Sequence, residues 1–231
     1  MDWQTFWNDH PAAVAETDFL VQVGHTIDGK PYDAAQFAAM VNQVRNGLDL
    51  GADDSLLDLC CGNGIVTRQL ALHCRQATGS DFSAVLIERA ITHHSAPNLR
   101  YRVLDTLALE TAKFPDDGAF NRIGMYAALQ HFQIHQLTPL LQGMLTHSAQ
   151  GAIFFIGGIL DQRRKDAFLD TAEKRKAYDD YRKNGRDRLG TWWQPAQLRA
   201  AAAGLGLVCE IDDCSSGRPG GHYRFDARLK R

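Results

Sequence analysis

Three aspartates, Asp58, Asp81 and Asp105, are the residues best placed to do chemistry in this sequence. Each ends a run that reads as a strand (56–57, 76–80 and 99–104), and small or polar turn residues follow each. Ligands of open α/β sheets dock at the carboxyl ends of strands. A carboxylate there accepts hydrogen bonds from hydroxyls and ammonium groups, and works against a ligand that brings a pyrophosphate. Behind Asp58 come Cys60, Cys61, Gly62, Asn63 and Gly64. The two glycines allow positive φ and let a ligand come close to bare peptide. Asp81 follows Asp58 by 23 residues (81 − 58), near the spacing at which nucleotide-binding folds set an acid on ribose hydroxyls. Among groups that titrate near neutral pH, His131, His25 and His222 are candidate bases. His131 comes first because it follows the fourth strand, at the mouth of the crevice.

These residues need elements to hold them. Residues 56–67 read as strand, tight turn and helix start, the opening of a βαβ unit, with Val66, Leu70 and Leu72 on the helix. A second strand spans 76–81, and Ser83 caps a helix through Val85, Ile87 and Ile91. Strands follow at 99–104, 119–126 and 151–160, with an amphipathic helix over 134–145 and a polar turn over 114–118. Pro195 opens a further helix. Strands at 207–211 and 222–229, joined by a loop over 215–221, pair as an antiparallel edge hairpin. Upstream, Asp33 with Gln36 forms a capping box ahead of Phe37, Val41, Val44 and Leu48. Residues 22–31 read as loop and turn. Trp3, Phe6, Trp7, Phe19 and Leu20 give the first 20 residues either an amphipathic packing helix or a lid. The charged stretch 161–188 reads as a solvated helix or a substrate cap.

At 231 residues, 45% apolar and 23% charged, the chain suits one α/β domain with elaborations. A net charge of −2 gives no global reason to expect nucleic acid or an anionic membrane as partner. The five cysteines (Cys60, Cys61, Cys74, Cys209, Cys214) contain no Cys-x-x-Cys pair. They read as reduced thiols of a cytoplasmic protein. Residues 1–10 hold no secretory signal, and no run reaches the length of a membrane span.

The stretch Asp58-Leu59-Cys60-Cys61-Gly62-Asn63-Gly64 resembles motif I of the class I S-adenosylmethionine-dependent methyltransferases, with Cys60 in place of the first glycine. Gly79-Ser80-Asp81-Phe82-Ser83 looks like that family's second strand and turn, and 120–132 resembles the small-molecule branch after the adenine-binding loop. The resemblance implies an α/β, Rossmann-like, seven-stranded, mostly parallel sheet flanked by helices, with an antiparallel C-terminal edge hairpin. It implies a single domain over 1–231, with 1–33 as lid or extension and 161–190 as a cap insertion. S-adenosyl-L-methionine is the implied cofactor, leaving as S-adenosyl-L-homocysteine after methyl transfer to O, N or C of a small molecule.

The cofactor-binding residues so implied are Asp58, Cys60, Gly62, Gly64, Asp81, Phe82, Asp105, Thr106 and Tyr126. Asp81 would take the ribose and Asp105, beside Leu104 or Thr106, the adenine amine. His131 and Tyr126 are the implied catalytic pair. Gln22 and His25 would reach the cofactor's amino-acid end if the first segment folds over. Asn121 stands where the family often has Asp, which argues against a Mg²⁺ site and for a metal-independent reaction. An Asn-Pro-Pro-Tyr motif is absent, which favours a small acceptor over nucleic acid. Trp3, Trp7, Trp192 and Trp193 suit an apolar or planar acceptor and serve equally well as packing.

Other readings stay open. A non-catalytic S-adenosylmethionine-binding module would keep the same residues. An RNA methyltransferase would rest on Arg163, Arg164, Arg186 and Arg188. A nicotinamide-dependent oxidoreductase fits poorly, because Thr67 occupies its third glycine position.

Overall fold

Seven strands build the central sheet: β1 (Ser55–Leu59), β2 (Gln76–Asp81), β3 (Leu99–Val103), β4 (Phe120–Tyr126), β5 (Ser148–Leu160), β6 (Val208–Asp212) and β7 (Arg224–Lys230). The computed structural model describes all residues except 115–117, 186, 188 and 214–219. Cys214, Arg186, Arg188, the middle of the 114–118 turn and most of the 215–221 loop therefore lie outside the described residues. The strand order is β3-β2-β1-β4-β5-β7-β6. The first five run parallel, and β7 is antiparallel to both β5 and β6. This is the expected fold class. Every residue of central β1 is buried, as its near-continuous apolar run requires of a strand covered on both faces.

The labelled helices are α1 (Trp3–Ala13), α2 (Ala34–Leu48), α3 (Ile65–Leu70), α4 (Ala84–His93), α5 (Leu137–Thr146), α6 (Ala172–Lys183) and α7 (Pro195–Gly204). Leu137, Leu140, Leu141 and Met144 of α5 and Leu198 and Ala202 of α7 join Phe154, Ile156 and Phe225 in one core cluster. Met40, Val41, Val44 and Leu48 of α2 and Val66 and Leu70 of α3 join Leu56 and Phe155 in a second. Gly47 lets α2 lie directly on the sheet, because a Cβ there would collide with the Phe155 ring. The Asp33–Gln36 capping box is present, at 2.8 and 2.9 Å. Gln194 and Gln197 form another at the start of α7, with Pro195 in the first helical position.

Several local expectations change. Residues 26–31 form a small antiparallel hairpin, Thr26–Ile27 with Lys30–Pro31, turning at Asp28 and Gly29. Leu72 falls on a 3₁₀ turn after α3 and is 61% exposed. Ile91 is 53% exposed, because α4 turns Leu86, Ile87 and Ala90 to the core. Strand β7 begins at Arg224, since residues 221–223 form a 3₁₀ turn. Among the described residues no helix is long and apolar enough to cross a membrane.

Candidate active site

The parallel order brings the carboxyl ends of β3, β2, β1 and β4 side by side. A cavity of about 500 Å³ opens over them. Asp58, Cys60, Gly62, Asp81 and Phe82 line it from β1, β2 and their turns. Asp105, Thr106, Tyr126 and His131 line it from the turn after β3 and the end of β4. Gly64 is outside the lining. It starts α3 at φ 77, and a Cβ there would collide with the Tyr101 hydroxyl. Its part is to let Tyr101 close the turn, donating to the Gly64 and His94 carbonyls at 3.3 and 3.1 Å.

The turn after β1 holds two left-handed positions in the cavity wall, Cys60 at φ 55 and Gly62 at φ 57. The Gly62 N–H donates to Asp81 Oδ2 at 3.0 Å, and Ser83 N–H donates to Asp81 Oδ1 at 2.9 Å. Both Asp81 oxygens thus accept from backbone N–H groups, with the Phe82 N–H also bearing on the carboxylate, and keep acceptor capacity. Burial raises the Asp81 carboxyl above the usual carboxylate range, against the pull of those N–H groups. Thr67 donates to Asp58 Oδ2 at 2.6 Å. Burial lifts Asp58 to about 7, with the Thr67 bond opposing the rise and the Asp81 charge adding to it. Asp105 accepts from the Leu107 N–H at 3.0 Å. Cys60 Sγ sits 3.4 Å from Thr106 Oγ1, joining the β1 and β3 turns.

The other side of the cavity is aromatic and lies under α1. Tyr126 closes β4, its hydroxyl donating to Gln43 Oε1 at 3.3 Å. His25 stacks on Tyr32 at 5.7 Å and lies 6.3 Å from Tyr126, and it lines the cavity. Burial, helped by the Arg224 charge, pushes His25 down to about 4. The His131 ring lies 4.2 Å from Trp3 and 5.4 Å from Trp7. Its Nδ1 is buried with no hydrogen-bond partner among the described residues. Burial first and Arg224 second push it down to about 3. Both imidazoles are neutral at pH 7. The end of the charged stretch, Asp187 with Gly190 and Thr191, completes the wall.

Gln22 does not reach this cavity. It is fully buried, and its amide donates to the Ala15 and Glu16 carbonyls, both at 2.9 Å. Its Oε1 accepts from Asn63 Nδ2 at 2.9 Å, and Asn63 also donates to Phe19 O at 2.8 Å. Asn63, the residue between the two glycines, therefore fastens the N-terminal segment to the turn. Its place in the motif was the available signal. His222 is exposed and outside the lining. Trp193 is core, with Nε1 donating to Leu129 O at 3.1 Å, and Trp192 packs near Phe168; neither lines the cavity.

Asn121 lies at the amino end of β4, where it accepts from Ser55 N–H and donates to Asp54, both at 2.8 Å. That end of the sheet is opposite the cavity, so its identity says nothing about a metal there. Among the described residues no three His, Cys, Asp or Glu are grouped to hold a metal ion. Arg163 and Arg164 are both engaged by Asp161 and Asp213.

Residues 56–151 match the family model described as Methyltransferase domain. No curated protein matches the chain. Among solved structures, it is similar to the N-methyltransferase NodS from Bradyrhizobium japonicum WM9 in complex with S-adenosyl-L-homocysteine: 18% identity, TM-score 0.65, 100% of this chain and 99% of that one. Magnesium protoporphyrin IX methyltransferase from Synechocystis PCC 6803 with bound SAM aligns at 13% identity and TM-score 0.61, over 99% and 95% of the two chains. The cyclopropane synthase MmaA2 from Mycobacterium tuberculosis aligns at 13% identity and TM-score 0.65, over 90% and 76%. Motif, strand order and family match agree: residues 56–151 match the Methyltransferase domain model, and the chain shares the fold of the solved methyltransferases named above.

Proposed function

We propose that this protein transfers a methyl group from S-adenosyl-L-methionine to a small-molecule acceptor at O, N or C and releases S-adenosyl-L-homocysteine. One observation carries the reading: three strand-end aspartates and a glycine turn face a single cavity. The donor set suits the ligand, with carboxylates for hydroxyl, amine and ammonium groups. At Gly62 the wall is bare peptide, and a Cβ there would come within 2.7 Å of Val23 Cγ1. The relatives named above with bound cofactor or product support the same reading.

In this reading Asp81 accepts from the ribose hydroxyls beside Phe82, and Asp105 with Thr106 takes the adenine edge. Asp58, Cys60 and Gly62 border the methionine end, and Gly64 acts only through the turn. The cofactor, when bound, supplies a methyl already activated on a sulfonium. The chain therefore has to align the acceptor and exclude water, which accounts for several kcal/mol. No metal is required for that. Tyr126 and His131 face the acceptor. His131, neutral and low in basicity, takes a hydrogen bond better than it stores a proton. Residues 1–33 act as lid and 161–190 as cap on a single domain over 1–231, supported by Trp3, Trp7 and Gly190 in the cavity wall. The free thiols among the described residues, Cys60, Cys61, Cys74 and Cys209, support a cytoplasmic location.

The test is a radiolabelled methyl assay against a metabolite extract, beside calorimetry with S-adenosyl-L-homocysteine. Saturable binding with label transferred to a small product is the expected result. Binding without any transfer would leave a cofactor-binding module in place of an enzyme.

A further inference from the structure

Tyr126 and Ala127 make a corner of the cavity wall where β4 ends. Ala127 sits there at φ 52, a left-handed position that a side chain holds only where its surroundings impose it. Those surroundings come from β5. The Ala127 N–H donates to the Gly157 carbonyl at 2.9 Å, and a Cβ on Gly158 would come within 3.3 Å of Ala127 N. A Cβ on Gly157 would come within 2.8 Å of Tyr126 Cδ2. Gly157 and Gly158 form a bulge: between the pairs Ile156–Ala227 and Ile159–Phe225, two residues of β5 face one of β7. That one is Asp226. Bulges of this kind re-aim side chains beside active sites.

The Asp226 carboxylate is buried and bonds in two directions. Oδ1 accepts from the Gly158 N–H at 2.8 Å, which holds the bulge. Oδ2 accepts from Gln43 Nε2 at 2.6 Å, and Gln43 Oε1 accepts from the Tyr126 hydroxyl at 3.3 Å. The order of donors is forced. A carboxylate only accepts, so the Gln43 amide turns its NH₂ to Asp226 and its oxygen to Tyr126, and Tyr126 donates. Gln43 comes from α2 and Asp226 from β7, so both lie outside residues 56–151, and neither lines the cavity. One carboxylate thus reaches both residues of the corner, Tyr126 through Gln43 and Ala127 through the bulge.

We propose that Asp226 and Gln43 are positioning residues of the transfer site. They fix where the Tyr126 ring and the Ala127 backbone stand against the acceptor, without touching either reactant. A misplacement of about 1 Å is enough to slow an aligned reaction about a hundredfold. The inference rests on the methyl-transfer reading above and adds residues that act on that site from behind its wall.

Radiolabelled transfer from S-adenosyl-L-methionine into the metabolite extract tests it, beside calorimetry with S-adenosyl-L-homocysteine on the same full-length proteins. Gln43→Leu should slow transfer about tenfold and keep product affinity within about threefold, a split that general destabilisation would not give. In the Tyr126→Phe background the same substitution should slow transfer at most about twofold, because the hydroxyl it acts through is gone. Gln43→Glu sets two carboxylates side by side and should also be slow. Adding Asp226→Asn to it exchanges acid and amide, so each donor again meets an acceptor. That pair should return transfer to within about threefold of the unaltered protein. If Gln43→Leu does not fold, the exchange decides by itself. Full transfer by Gln43→Leu, product affinity lost in step with transfer, an equal loss in both Tyr126 backgrounds, or no gain from the exchange overturns the positioning role. Absence of any transfer by the unaltered chain overturns the methyl-transfer reading, and this inference with it.

Discussion

The Gly62 backbone N–H donates to the Asp81 carboxylate across 3.0 Å, tying the turn after β1 to the end of β2. The side chain assigned to the ribose also shapes the glycine turn beside it. Asp81→Ala would leave the buried Gly62 and Ser83 N–H groups unpaired, at about 1–3 kcal/mol each. The variant should lose roughly 2–6 kcal/mol in urea unfolding. It should also bind S-adenosyl-L-homocysteine at least tenfold more weakly by calorimetry. Full affinity in a destabilised variant would confine Asp81 to the turn.

Asp58 makes cofactor binding depend on pH. Its folded value of about 7 lies above the ordinary carboxylate value of 3.8, so the free folded protein binds more protons than the unfolded chain between those values. Its contribution to stability is fully present below about pH 4 and is lost as pH rises through about 7. A ligand carrying ammonium and sulfonium charge favours the ionised carboxylate. Affinity for S-adenosylmethionine should therefore fall as pH drops below about 7, by up to tenfold per unit, and level off above it. Titrations in two buffers of different ionisation heat would reveal the released proton. Asp58→Asn should flatten the profile; an unchanged profile would remove Asp58 from the site.

Cys60 holds φ 55 where the motif usually carries glycine. A left-handed backbone costs a side chain about 1–2 kcal/mol, and glycine returns about half of that as lost chain entropy. Cys60→Gly should raise stability by about 0.5–1 kcal/mol and keep product affinity. Cys60→Val, with its branched Cβ, should lower both. Thermal unfolding and calorimetry on the pair decide it, and a destabilised glycine variant would show that the Thr106 contact outweighs the strain.

Local chemistry determined what the sequence alone could tell. Asp58, Asp81 and Asp105 were legible as strand ends because apolar runs, acids and turn residues lie next to one another in the chain. The Asp33–Gln36 box and Pro195 were legible for the same reason. Tertiary structure decided what depends on which strands are neighbours and which side of an element meets the core. The order β3-β2-β1-β4 put three distant acids into one cavity. It also left Asn121 at the far end of β4, bonded to Ser55 and Asp54. Gln22, polar and near the motif, turned out to be an internal tie to Asn63. Trp3 and Trp7 reached the cavity while Trp192 and Trp193 did not, since residue type fixes a side chain's chemistry and only packing fixes what it touches.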